Sequence, residues 1–123
     1  MQIHESAEDY LEAILKLEEK LGNVRSIDIV NEMNYSKPSI SIAMKKLREN
    51  GYIEMDSSGI IHLLQPGREI AERIYARHKL LTKILIAIGV DEKTAGEEAC
   101  KIEHDINEDT FRKLDAYYNA HMN

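Results

Sequence analysis

Between Ser36 and Leu64 the chain is punctuated too closely for any long element to form. Ser36-Lys37-Pro38 joins a helix-capping hydroxyl to a proline suited to a first helical turn. Asn50-Gly51 is a helix stop, and Asp56-Ser57-Ser58-Gly59 is a polar turn. What remains is one short helix to Asn50, then two apolar runs, Tyr52–Met55 and Ile60–Leu64, around the turn. That pattern predicts a β-hairpin. A shorter helix, Ser26 to Met33 with Ser26 as its cap, lies just upstream across Asn34-Tyr35. The helix after Ser36 places Ile40, Ala43, Met44 and Leu47 on one face and Pro38, Ser39, Ile42, Lys45 and Lys46 on the other. Two short helices at a tight turn, the second polar and basic outside, form a helix-turn-helix, and a hairpin directly after it makes a winged helix. The competing arrangement is an unrelated small α+β domain.

The flanks read as helices. The first spans about Ala7 to Leu21, with Ser6 as N-cap, Asp9 at capping-box spacing, and Tyr10, Ile14, Leu17 and Leu21 as the buried stripe. Asp9 and Glu12 lie off that stripe. Pro66-Gly67 opens a long helix to about Ile88 that carries Arg68, Arg73, Arg77 and His78. Its second half has the apolar stripe Leu81, Ile84, Leu85 and Ile88, which suits a core, a dimer interface or both. Gly89-Val90-Asp91 is a turn, a helix follows from Glu92 to Ile106, and Asn107 caps a last helix from Glu108 to about Ala120. The fold class expected is mainly α with a small β-wing. Residues 1–66 form a winged helix-turn-helix domain and residues 67–123 a helical domain.

A chain of 123 residues with 43% hydrophobic content can build the core this needs. No apolar run approaches a membrane span and the N-terminus has no signal-peptide character, so the default location is the cytoplasm. The single cysteine excludes an internal disulfide. Net charge is −6, yet residues 36–88 carry nine bases against five acids, the local excess a DNA-binding segment needs. Near the other end, Cys100, Glu103 and His104 recur at i, i+3 and i+4, one face of a helix. Thiolate, carboxylate and imidazole are the ligand types of divalent transition metals. The plainer reading is a solvated face plus one buried Cys. For Asp9 the plainer reading is a first-turn acid opposing the helix dipole.

Several strings extend this further. EDYLEAI at residues 8–14, SKPSIS at 36–41, RHKLLTKILIAIGVDE at 77–92 and EEACKIEH at 97–104 resemble the metal-dependent transcriptional repressors that include the diphtheria toxin repressor and the manganese transport regulator. The resemblance spans nearly the whole chain. It implies a winged-helix domain, a helical dimerisation domain, and metal bound between them by Asp9, Glu12, His78, Cys100, Glu103 and His104. The departures bear on the metal. Asp9 and Glu12 match the manganese-sensing branch, where the iron-sensing branch has Met at the first position. Thr82 and Gly96 stand where the iron branch places a Glu and a His of its second site. Cys100 is iron-like. Hard oxygen donors favour Mn²⁺ and a thiolate favours softer ions, so Mn²⁺ is expected with Fe²⁺ the close alternative, and no organic cofactor. The chain resembles a short form without the SH3-like domain of many relatives. Ile42 stands where relatives have a polar residue, and it could pack on a thymine methyl.

The function expected is a metal-activated, non-enzymatic repressor that binds palindromic operators of metal-uptake genes as a homodimer on double-stranded DNA. Ser36, Lys37, Pro38, Ser39, Ser41, Ile42, Lys45 and Lys46 would face DNA from the recognition helix, and Ser57 and Ser58 from the wing. Leu81, Ile84, Leu85 and Ile88 would form the dimer interface. The rivals are a winged-helix repressor sensing a small organic ligand, distinguished by metal-independent binding, and a metalloenzyme with a carboxylate-rich water-activating site.

Overall fold

A computed structural model describes residues 5–122. The chain folds as α1 (Glu5–Leu21), α2 (Ser26–Met33), α3 (Lys37–Glu49), β1 (Ile53–Met55), β2 (Ile61–Leu63), α4 (Gln65–Ala87), α5 (Glu92–Ile102) and α6 (Glu108–His121). The backbone divides into two units, Met1–Arg73 and Ile74–Asn123. Among the described residues no helix is long and apolar enough to cross a membrane.

In the N-terminal unit the punctuation works largely as the sequence predicts. Ser36 caps α3, its Oγ accepting from the Ser39 N–H at 3.3 Å, with Pro38 in the first turn. Asn34 adopts a left-handed conformation (φ 57°) and its N–H bonds the Val30 carbonyl, which turns the chain sharply from α2 into α3. The hairpin is antiparallel, pairing Ile53 with Leu63, Glu54 with His62 and Met55 with Ile61. At its tip Asp56 Oδ1 accepts from the backbone N–H groups of Ser58 (2.8 Å) and Ile60 (3.0 Å). Gly59 there takes φ +81°, a conformation that side chains disfavour. Val24 bridges to Ile61, extending the sheet towards the helices. Gly67 is buried against the start of the hairpin, where a Cβ would collide with the Tyr52 carbonyl oxygen.

Three local readings are corrected. Ser6 lies inside α1, which already includes Glu5, so it is not the N-cap. Ser26 is the first helical residue of α2, and Arg25 is the cap: the Asp28 carboxylate reaches back to the Arg25 N–H at 2.9 Å. The buried stripe of α1 is also different. Leu11, Ala13, Ile14, Leu15 and Leu17 are buried and Leu21 is exposed, so the helix buries more than one side rather than a single seam. Likewise Ile29 of α2 is buried and Ile27 exposed. Arg68 pairs with Glu18 at 2.9 Å and Arg73 with Glu8 at 2.8 Å, so two of the arginines in α4 are spent on α1.

In the C-terminal unit Ile74, Leu80, Leu81, Ala95 and Ala99 are buried. Asp91 caps α5 by accepting from the Thr94 N–H at 3.0 Å, and this hydrogen bond holds its carboxyl below the usual range. Asn107 caps α6 in the same way, its Oδ1 accepting from Thr110 at 2.8 Å. The helix expected to run to Ile106 ends at Ile102. Beyond it, the main-chain carbonyls of Glu103 and Ile106 accept from the guanidinium of Arg77 on α4.

Candidate functional site

α1 carries the two acids that the resemblance implies as ligands. Asp9 is half-buried, and Glu12 is 3% exposed, with Lys16 Nζ 3.6 Å from its Oε2. Glu12 is therefore no solvated off-stripe acid. Beside them Tyr10 meets Tyr35 edge-on, with centroids 6.1 Å apart. Burial, and then the proximity of Tyr35 and Asp9, pushes the Tyr10 hydroxyl above its ordinary pKa.

In the C-terminal unit Glu103 is the centre. It is 0% exposed, a carboxylate in a setting where charge is costly unless matched. His78 Nδ1 from α4 lies 2.9 Å from Glu103 Oε2, and His104 Nε2 lies 3.5 Å from Oε1. Cys100 on α5 presents a donor atom within 4.8 Å of one on Glu103, and His78 does the same. The structure thus gathers His78, Cys100, Glu103 and His104 around one buried carboxylate. It corrects how they are presented. Cys100 is on the helix and exposed, not buried. Glu103, the C-cap, keeps helical backbone angles with its N–H on the Ala99 carbonyl, and His104 lies in the turn that follows the helix. The donor chemistry fits a first-row divalent cation: two imidazoles, a thiol and one carboxylate, the carboxylate shielded from water.

The outer face of α3 is open. Lys37, Pro38, Ser39, Ser41, Lys45 and Lys46 are exposed, and Ile42 is 58% exposed. Ser36 and Ser39 also bond each other through their hydroxyls at 2.9 Å. At the wing, Ser57 and Ser58 are exposed. His62 Nε2 lies 2.9 Å from Asp56 Oδ2, and this side-chain bond, with the backbone donors of Ile60 and Ser58, holds the Asp56 carboxyl low. Arg25, passed over in the sequence, is exposed and reaches the tip, its Nε donating to the Ser58 carbonyl at 3.4 Å. Only the folded chain brings these residues, far apart in sequence, together. On α4, Leu81 is buried within the single chain, Ile84 and Leu85 are half-buried, and Ile88 is 67% exposed. Ile86, Ile102 and Tyr117 add exposed apolar surface that the sequence stripe did not include.

Comparison with known proteins identifies the family of both parts of the chain. Residues 2–59 match the N-terminal DNA-binding domain of the iron-dependent repressors, and residues 65–121 match their metal-binding and dimerisation domain. An uncharacterised HTH-type transcriptional regulator of Methanocaldococcus jannaschii is 34% identical over 112 residues, covering 89% of this chain and 90% of that protein. The transcriptional regulator MntR of Escherichia coli O6:H1 is 30% identical over 113 residues, covering 92% of this chain and 71% of its own. Among solved structures, a manganese-dependent transcriptional repressor in complex with manganese superposes with a TM-score of 0.83 at 26% identity, over 92% of this chain and 52% of that one. IdeR of T. acidophilum gives 0.82 at 25%, over 97% and 55%. The chain spans about half the length of these solved proteins. With both domains matched in order along its length, the chain belongs to the family of metal-dependent transcriptional repressors, DNA-binding and metal-binding.

Proposed function

We propose that this chain is a metal-activated repressor in the cytoplasm that binds palindromic operators of metal-uptake genes as a homodimer, with Mn²⁺ as the preferred activator and Fe²⁺ the close alternative. Residues 1–66 read DNA, and residues 67–123 complete the metal site and pair the subunits. The observation that carries the metal reading is the wholly buried Glu103 carboxylate with His78 and His104 beside it. Asp9, Glu12, His78, Cys100, Glu103 and His104 are the ligands. The carboxylates of Asp9, Glu12 and Glu103 favour Mn²⁺, and Cys100 raises affinity for softer ions such as Fe²⁺. A bound divalent cation supplies the positive charge that offsets repulsion among those carboxylates. Activation requires that the cation bind the DNA-competent arrangement more tightly than any other.

On DNA, α3 enters the major groove. Lys37, Lys45 and Lys46 contact phosphates, Ser39 and Ser41 contact phosphates or base edges, and Ile42 packs on a thymine methyl. Ser36 and Pro38 set the helix start against the backbone, and Ser57 and Ser58, joined by Arg25, place the wing. Ile84, Leu85 and Ile88 supply the dimer contact, with Leu81 behind them. The test is fluorescence anisotropy on DNA upstream of the chain's own gene and of neighbouring transporter genes. It is run at fixed salt with chelator, then with Mn²⁺, anaerobic Fe²⁺ and Zn²⁺. Tight binding only with metal is expected, Mn²⁺ most potent. Equal binding with chelator refutes the metal switch, and Fe²⁺ outranking Mn²⁺ refutes the metal preference.

A further inference from the structure

Arg77 is always charged, yet it is only 3% exposed. A guanidinium so placed is costly unless its donors are used; Nε is buried without a hydrogen-bond partner, and the two terminal nitrogens converge on one segment. Nη1 donates to the main-chain carbonyls of Glu103, at 3.2 Å, and Ile106, while Nη2 donates to Glu108 Oε2 at 3.2 Å. The guanidinium also lies over the Phe111 ring, 5.6 Å from its centroid. All of these partners belong to the end of α5, the α5–α6 turn or α6. The next residue along α4, His78, holds the carboxylate of the same Glu103. Two adjacent residues of α4 therefore hold one residue, Glu103, Arg77 by its main chain and His78 by its carboxylate.

We propose that Arg77 is a positioning residue of the metal centre: through the Glu103 and Ile106 carbonyls it fixes the Glu103–His104 segment in its ligand arrangement before the cation arrives, without being a ligand. This rests on the reading of Glu103 and His104 as ligands. Two physical effects of Arg77 on metal affinity have opposite signs, and that separates them. As a nearby positive charge it opposes a second cation, so its removal would tighten binding. As the group that fixes the Glu103 main chain, its removal loosens the ligands and weakens binding, as loss of supporting groups around metal ligands does.

The experiment is calorimetric titration of Mn²⁺ into chelator-stripped wild type, Arg77→Met and Arg77→Lys, each checked for fold by circular dichroism. The Mn²⁺ electron paramagnetic resonance spectrum is recorded at saturation. Arg77→Met is expected to weaken Mn²⁺ binding by about 10- to 100-fold. Arg77→Lys keeps the charge but not the planar pair of terminal nitrogens that reaches the two carbonyls and Glu108 together, and is expected to recover only part of that loss. The spectrum of the loaded variants should differ from wild type, a change that lowered stability alone does not produce. Affinity within twofold of wild type, or tighter, overturns the proposal. If Arg77→Met fails to fold, Arg77→Lys decides on the same twofold criterion. Wild type that binds no Mn²⁺ refutes the metal reading itself, whereas wild type that binds while the variants match it refutes only the role of Arg77.

Discussion

Replacing glycine by alanine within a helix ordinarily stabilises a protein, by about 0.5–1 kcal/mol. In this chain the sign of the effect is expected to differ between two helical glycines. Gly96 in α5 has nothing within 4 Å of where a Cβ would stand, so Gly96→Ala should show the ordinary gain. Gly67 in the first turn of α4 is the opposite case. A Cβ there falls far inside the 3.0 Å floor from the Tyr52 carbonyl oxygen, and meets Leu11 Cδ2 at 3.3 Å. The obstacle is backbone and cannot rotate away. It is also engaged, because the Tyr52 carbonyl accepts from the Leu64 N–H at 3.0 Å, closing the open end of the wing.

Relief requires the helix and the start of the hairpin to part by roughly an ångström, an overpacking cost of about 1–3 kcal/mol. Loss of the Tyr52–Leu64 bond adds about 1 kcal/mol, and the alanine propensity gain offsets up to about 1 kcal/mol. Gly67→Ala should therefore be destabilised by about 1–3 kcal/mol. Urea unfolding followed at 222 nm, with chelator throughout so that metal binding does not shift the midpoint, measures both variants. With a urea slope of about 1–3 kcal/mol/M, Gly67→Ala should unfold roughly 1 M earlier than wild type and Gly96→Ala slightly later. Gly67→Ala as stable as wild type would mean that the hairpin does not approach α4 as described.

Other perturbations separate reading from folding. Ile42→Ala should leave stability within about 0.5 kcal/mol, since the side chain is exposed, yet lower operator affinity by about fivefold, roughly the worth of its lost apolar contact. Unchanged affinity in anisotropy would exclude the thymine contact. Lys45→Ala and Lys46→Ala should each flatten the slope of log affinity against log salt by about 0.9 if each neutralises one phosphate, and a parallel slope would exclude that role. The wing tip should be acid-sensitive through Asp56. Its folded carboxyl lies below its ordinary value of 3.8, chiefly through the bond from His62 and then the Ile60 N–H. Its support for the turn is therefore complete above about pH 3.8 and lost as pH falls through the lowered folded value. Amide exchange at Ser58 and Ile60 measures this, and an Asp56-dependent loss of protection already at pH 5 would contradict the sign.

The parts of this molecule written in local chemistry were legible from sequence. Ser36, Asn50-Gly51, Asp56–Gly59 and Asn107 act within a few residues of themselves, so the recognition helix, the wing and α6 could be placed directly. Burial was less legible, because periodicity marks one seam whereas α1 is covered on several sides. Leu11 and Glu12 are buried for that reason, and Leu21 at the helix end is not. Glu12 matters most here: an acid read as off the stripe proves to be 3% exposed, and its burial raises its worth as a ligand candidate. The centre around Glu103 was legible as a set of residue types but not as a shape. The i, i+3, i+4 spacing placed Cys100, Glu103 and His104 on one helix because nothing in EEACKIEHDIN announces a stop after Ile102. Past that end the Glu103 and Ile106 carbonyls are held by Arg77 from another helix. A main-chain contact from a side chain 26 residues away leaves no mark in the helix's own sequence, and it is the contact proposed above to position Glu103 and His104.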